Sequence, residues 1–257
     1  MAPLFKNSHS DPPPIEPVSN VFPKINGADI AAVTLGERVA GDFYDSIRAG
    51  PERVLFGLLD LAGRRETNRD ILTAAQDIFR TLGAELFAPS DVNESNAMTE
   101  LCLQLNRHIL EASTDVHSCP AFIACYHEKF GTLCYTNAGH TPGLLRDSTG
   151  ITELQSTGLP LGLFSHATCE APTIGTEKGS VLLLVSRGVV DSGDGNPDSA
   201  DQNAEEYGLD RVKQTLQTAP PGTAHALCAS ILNAATEFHA GKLVAADATA
   251  LAFIRRA

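Results

Sequence analysis

The sequence predicts an α+β sandwich, antiparallel sheet with helices packed on the outside. Two long helical patterns stand side by side in the first half of the chain. Short strand patterns fill the middle, two more helical patterns follow, and a single strand closes the chain. Strands and helices therefore do not alternate one for one, as a doubly wound parallel sheet requires. A length of 257 residues lies at the upper end of one domain. The expectation is one domain over 21–257 behind an N-terminal arm of residues 1–20.

The arm is polar and Pro-rich, with the run Pro12-Pro13-Pro14 and no apolar signal core, and reads as disordered or loosely docked. Residues 29–35 form the first strand candidate. Residues 53–61 (RVLFGLLDL) are an almost unbroken apolar run ending in an Asp, the pattern of a strand covered on both faces. Ile71, Leu72, Ala75, Ile78, Phe79, Leu82 and Leu86 recur at helical spacing over 67–87. Met98, Leu101, Leu105 and Ile109 repeat the pattern over 94–113, with Asn93 or Ser95 as the cap. Strand candidates then follow at 121–126, 133–137, 143–146, 151–154, 168–174 and 180–186, separated by Gly, Pro, Asp or Ser. Residues 191–206 (DSGDGNPDSADQNAEE) carry six acidic side chains and nothing apolar longer than Ala, and read as a mobile acidic loop. Helices are expected at 208–217 and 223–239, and a last strand at 249–255.

Composition narrows the partners. Hydrophobic residues make up 43% and charged ones 19%, so wholesale disorder is excluded. A net charge of −12 argues against nucleic acid or an anionic membrane as the main partner. No stretch approaches the roughly 20 apolar residues of a membrane span, and a cytoplasmic protein is the expectation. The six cysteines, at 102, 119, 125, 134, 169 and 228, form no C-x-x-C pair, and most sit among apolar neighbours. They read as buried, reduced thiols.

Chemistry is suggested by segments that place Asp or Gly at the edges of apolar strands, where carboxylates gain the fixed geometry that a hard cation needs. In order they are AGDFYD (40–45), DLAGRR (60–65), NAGHTP (137–142), GLPLG (158–162), SRGVVD (186–191) and ADAT (246–249). Any one of them is an ordinary turn or cap signal. As an ordered set, with Val21-Phe22-Pro23 ahead of them, they resemble the bacterial stage II sporulation E-type serine phosphatases. That group is a branch of the metal-dependent protein phosphatase 2C-type family (PPM). Its segments read G-G-D-[FY]-Y-D, D-V-x-G-x-G, N-A-G-H-x-P, G-L-P-L-G, T-D-G-[VI]-x-[ED] and D-D-x-T.

The resemblance spans about 20–256 and implies an α-β-β-α sandwich, two antiparallel sheets flanked by helix pairs. It also implies Asp residues at one end holding two Mn²⁺ or Mg²⁺ ions, whose bridging water attacks phosphoserine or phosphothreonine. By position, Asp42 and Asp60 match two of the ligands, and the backbone carbonyl of Leu61 matches a third. The rest of the set departs from the family. Arg187 stands where T-D-G has its Asp, and Ala246 stands where D-D-x-T has its first Asp, leaving only Asp247 of that pair. Gly63 is kept, but Arg65 replaces the second Gly of the family's G-x-G. A guanidinium about 4 Å from a divalent ion is repelled by roughly 8 kcal/mol at an effective dielectric near 20. The expectation is therefore at most one weakly held ion.

Three fates are open to Arg187: turning to solvent or to Asp191, yielding to a substitute ligand (Asp247, or Asp191 or Asp194 of the loop), or pairing with Asp42 or Asp60. The last is favoured, because a buried cation among carboxylates is usually paired. His140 reads as a turn residue rather than a ligand. Three functions compete. The first is a pseudophosphatase that binds a phosphorylated protein, such as an anti-sigma-factor antagonist, or its kinase. The second is an active, weakened phosphoserine/phosphothreonine phosphatase. The third is a scaffold that acts as a homodimer.

Overall fold

The computed structural model describes residues 21–35, 40–113, 118–166, 168–191, 206–238 and 247–256. The run at 53–61 becomes the organising strand β3 (Arg53–Arg64), and its alternate side chains separate two cores. Val54, Phe56 and Leu58 point into the space between two sheets. Leu55, Leu59 and Leu61 face the opposite way, under α1 (Arg65–Phe87) and α2 (Glu94–Ala112). Burial on both faces explains why the sequence there does not alternate.

One sheet has the order β2-β3-β4-β5-β8, with β2 (Ala40–Arg48), β4 (Ala121–His127), β5 (Thr132–Ala138) and β8 (Thr173–Gly175). The other has the order β1-β10-β9-β6-β7, with β1 (Ala28–Leu35), β6 (Gly143–Asp147), β7 (Gly150–Leu154), β9 (Val181–Val185) and β10 (Ala248–Arg255). Every pairing between these strands is antiparallel. Phe122 and Tyr126 of β4 meet Leu182 and Leu184 of β9 and Phe253 of β10 between the sheets. Leu183, Val185, Ala250 and Ala252 face outward, under α4 (Gly208–Thr218) and α5 (Ala224–Phe238). The layers are thus helix pair, sheet, sheet, helix pair. Among the described residues no helix is long and apolar enough to cross a membrane.

Four details differ from the sequence reading. Residues 40–48 form a full strand, whereas the sequence placed GDFYD after one. The strand expected over 168–174 shrinks to Thr173–Gly175 behind Pro172, with Cys169 only bridged to Gly158. A one-turn helix, α3 (Arg187–Val190), follows β9. Most consequentially, the thiols are not all free. Cys102 and Cys169 are joined, while Cys119, Cys125, Cys134 and Cys228 are buried thiols. At the head of α2 the cap is Asn93, whose side chain accepts from the Asn96 N–H. The arm 1–20, most of the acidic loop (192–205) and Ala246 lie outside the described residues.

Candidate functional site

The site lies at the end of the sandwich where β2 begins and the Asp of β3 stands. Antiparallel register sets Asp42 directly opposite Asp60 and Gly41 opposite Leu61. Like charges facing each other across a ladder repel, so this placement needs a compensating partner. Gly41 permits the local geometry, because a Cβ there would lie 2.3 Å from the Leu61 carbonyl oxygen. The second sheet closes the site with the end of β9 and the start of β10. The Ser186 N–H donates to the Thr249 carbonyl at 2.9 Å, and the Thr249 N–H donates to Ser186 Oγ at 3.0 Å.

Asp60 is buried, and its carboxylate is taken up by Arg187. Arg187 donates from its backbone N–H (2.9 Å) and its Nε (3.2 Å) to Oδ2, and from Nη2 to Oδ1 (3.3 Å). The two residues are 127 positions apart in the chain. Hydrogen bonding to Asp60 raises the guanidinium above its ordinary value. About half of the Arg187 side chain, 47%, still faces solvent. Asp191 adds a weaker electrostatic attraction to the guanidinium, and its N–H donates to the Arg187 carbonyl at 2.8 Å.

Asp42 is in a different state. The hydroxyls of Ser186 and Thr249 hydrogen-bond its carboxyl, yet Oδ2 is buried with no partner. Burial first, and the facing Asp60 carboxylate second, push Asp42 up to about 7. Asp247 is buried and adds to that repulsion. His140 is buried too. Its backbone N–H is held by Asn137 Oδ1 at 2.8 Å, and its Nδ1 lies 3.0 Å from the Thr141 carbonyl oxygen. Its Nε2 has no partner, and burial lowers its pKa. The nearby Cys119 thiol is pushed up to about 12 by burial and, secondarily, by Asp60.

The structure therefore brings Asp42, Asp60, Asp247 and Arg187 to one end of the sandwich, with Leu61 beside Gly41. Arg65 begins α1. Sequence reasoning assigned no role to Ser186 and Thr249, the hydroxyls on Asp42, although both lie in the quoted segments SRGVVD and ADAT. Nor did it assign one to Asn137, which fixes the His140 turn from within NAGH.

These residues do not fit a two-metal centre. Among the described residues no three acidic, His or Cys side chains converge as a metal-holding group. Asp60, which the resemblance makes a ligand, carries a guanidinium on both oxygens. Asp42 Oδ2 is the one bare carboxylate oxygen left buried among these residues.

An antiparallel double sandwich with helix pairs outside and facing Asp residues at one end is the architecture of the protein phosphatase 2C class. The chain belongs to the Stage II sporulation protein E (SpoIIE) family, whose profile matches residues 52–256. It is 25% identical over 154 residues to phosphoserine phosphatase RsbP of Bacillus subtilis, covering 60% of this chain and 37% of that protein. The chain spans 30% to 37% of the length of the curated relatives it matches. Its fold resembles the RsbU and RsbW domains of Rv1364c from Mycobacterium tuberculosis, with a TM-score of 0.70 at 22% identity, over 93% of this chain and 64% of that one. The phosphatase domain of SpoIIE from Bacillus subtilis, solved with a regulatory fragment, gives 0.69 at 14% identity, over 90% and 64%. RsbX, solved in complex with magnesium, gives 0.59 at 14% identity, over 90% and 96%.

Proposed function

We propose that this phosphatase-type domain is a pseudophosphatase. It binds a phosphorylated protein, or the kinase that acts on it, in bacterial signalling, and does not turn the phosphate over. The observation that supports this reading is the three-bonded contact between Arg187 and Asp60, a cation on a carboxylate that the resemblance assigns to a metal. A half-exposed guanidinium can exchange a carboxylate for a phosphate with the same paired geometry. Phosphoserine is the natural probe, since the relative RsbP is named a phosphoserine phosphatase.

The test is a pair of measurements. Wild-type protein with Mn²⁺ is expected to leave p-nitrophenyl phosphate and a phosphoserine peptide intact. It is expected to bind the phosphopeptide at least about tenfold more tightly than the unphosphorylated one, a preference lost in Arg187→Met. Mn²⁺-dependent turnover by wild type, or equal affinity for both peptides, overturns it.

One observation favours a second reading, an active phosphatase with an altered site holding a single Mn²⁺ or Mg²⁺. Asp42 Oδ2 is bare and Asp247 is buried close by, a donor pair suited to one weakly held ion. Calorimetry read together with turnover separates the readings: one weakly bound Mn²⁺ with hydrolysis supports this one, no hydrolysis supports the first, and two ions at micromolar affinity would restore the family's usual chemistry.

A further inference from the structure

The only disulfide among the described residues sits in the middle of a regular grip between α2 and the segment that leads to the site. Four α2 side chains, at positions 95, 99, 102 and 106, lie on one stripe of the helix by their spacing of four, three and four. All four hold residues 162–171. Ser95 Oγ donates to the Ala171 carbonyl, and Thr99 Oγ1 donates to the Cys169 carbonyl at 3.4 Å. Cys102 is bonded to Cys169. Asn106 donates to the Phe164 carbonyl and accepts from the Gly162 N–H, both at 2.8 Å.

Both ends of this strap run into the site. Leu161 exchanges two backbone hydrogen bonds with Cys119, at 2.8 and 3.1 Å, and the next carbonyl, that of Pro120, accepts from the Asp60 N–H at 2.9 Å. At the other end the Glu170 N–H donates to the Thr157 carbonyl at 3.0 Å. Thr157 and Gly158 in turn donate to the carbonyl of Asn137, the residue that fixes the His140 turn. Residues 164, 165, 166, 168 and 170 are exposed, and Cys169 is 6% exposed where Cys102 is sealed. Cys119, Cys125 and Cys134 share the core cluster with this pair, Cys228 lies in the opposite one, and all four are less exposed than Cys169.

We propose that the Cys102–Cys169 disulfide is a redox latch on this strap, opened by a dithiol reductant and closed by a low-molecular-weight disulfide. In opening, a thiolate of the reductant attacks Sγ of Cys169, the less deeply buried residue of the pair. The Cys102–Cys169 bond breaks, and Cys102 leaves as a thiolate that takes up a proton. The reductant's second thiol then attacks its own mixed disulfide and releases Cys169, which is protonated in turn. Two electrons and two protons pass from the dithiol to the protein, and the dithiol ends as a disulfide. On the α2 side the open strap keeps its hydrogen bonds to Ser95, Thr99 and Asn106, each of which contributes modestly.

Amide hydrogen exchange on the intact chain, oxidised with glutathione disulfide or reduced with dithiothreitol, reads the latch directly, after alkylation and peptide mapping have established the thiol state. Reduction is expected to speed exchange about tenfold or more at the amides of Cys119, Thr157, Gly158, Leu161 and Glu170, and to leave α5 unchanged. Cys102→Ser should match the reduced protein under both conditions. If that variant does not fold, the oxidised and reduced wild-type pair decides alone. Both cysteines free after oxidation, unchanged exchange on reduction, or loosening equal in α5 and the strap would each overturn the proposal. None of these readouts depends on whether the site binds phosphate.

Discussion

Gly188 packs against the carbonyl of Asp247 so closely that a Cβ on it would lie 2.1 Å from that oxygen and 2.9 Å from the carbonyl carbon. The short helix α3 is thereby pressed onto the chain as it enters β10, which holds Arg187 over Asp60 and Asp247 beside Asp42. An added methyl group meets backbone, which cannot swing aside, so α3 must lift. Gly188→Ala is expected to lower stability by about 1–3 kcal/mol in urea unfolding. Gly175→Ala, where a Cβ would meet nothing within 4 Å, should stay within about 0.5 kcal/mol of wild type. Equal effects at the two positions would mean that the contact is relaxed at no cost.

Asp45 ties β2 to α1. It is buried and accepts from the Ser46 N–H at 2.7 Å, Gln76 Nε2 at 3.1 Å, and Arg80 Nε and Nη2 at 2.7 and 3.1 Å. Arg80→Met leaves a buried carboxylate short of its counter-charge. The loss is expected near about 2–3 kcal/mol, the low end for a broken buried pair, because Arg80 is itself 31% exposed. Adding Asp45→Asn should recover part of that loss, and a strictly additive double mutant would show that the two residues are not coupled.

The raised pKa of Asp42 makes the metal-free protein sensitive to pH in a definite direction. The unfolded chain releases this proton near an ordinary 3.8, whereas the folded chain keeps it to about 7. Between those values the folded state binds the extra proton, so stability falls as pH rises and the full penalty is present above about 7. Three pH units correspond to about 4 kcal/mol at most. Asp42→Asn should therefore match wild type near pH 4 and exceed it by a few kcal/mol at pH 8, as measured by denaturant midpoints. A constant difference across that range would mean that Asp42 titrates normally.

The elements with one clear period were legible in the sequence. β3 showed as an apolar run, α1 and α2 as helical stripes, and β10 as TALAFIR. β2 was not, because AGDFYDSIR turns charged residues inward. Asp45 is buried against α1, and Asp42 faces the site while Phe43 enters the core under the helices. Polar side chains with tertiary partners erase the alternation that marks a strand. The site was legible only as an ordered set of weak segments. That Asp42 faces Asp60 follows from strand register. That Arg187 reaches Asp60 rather than Asp42 follows from how the two sheets pack, which no local pattern encodes. The Cys102–Cys169 bond escaped for the same reason, since its partners are 67 residues apart and each reads locally as a core cysteine.

The last prediction rebuilds the missing half of the site. Arg187→Asp removes the guanidinium from Asp60 and supplies a carboxylate on the same short helix, so it should recover some Mn²⁺ affinity by itself. Ala246→Asp alone should do little, because Arg187 still occupies Asp60 and the two positions share one charge environment. Together they are expected to create Mn²⁺-dependent hydrolysis of p-nitrophenyl phosphate about 10²-fold or more above wild type, given that interactions with the metal contribute several kcal/mol to the transition state. In the metal-free double mutant, the Arg187 charge that offsets Asp60 is replaced by added carboxylates, so it should be less stable than wild type and be rescued by Mn²⁺. Wild-type turnover equal to that of the double mutant would sink the idea that Arg187 and Ala246 silence the site. A double mutant that binds two Mn²⁺ ions yet stays inert would instead move attention to Arg65, where the family has glycine.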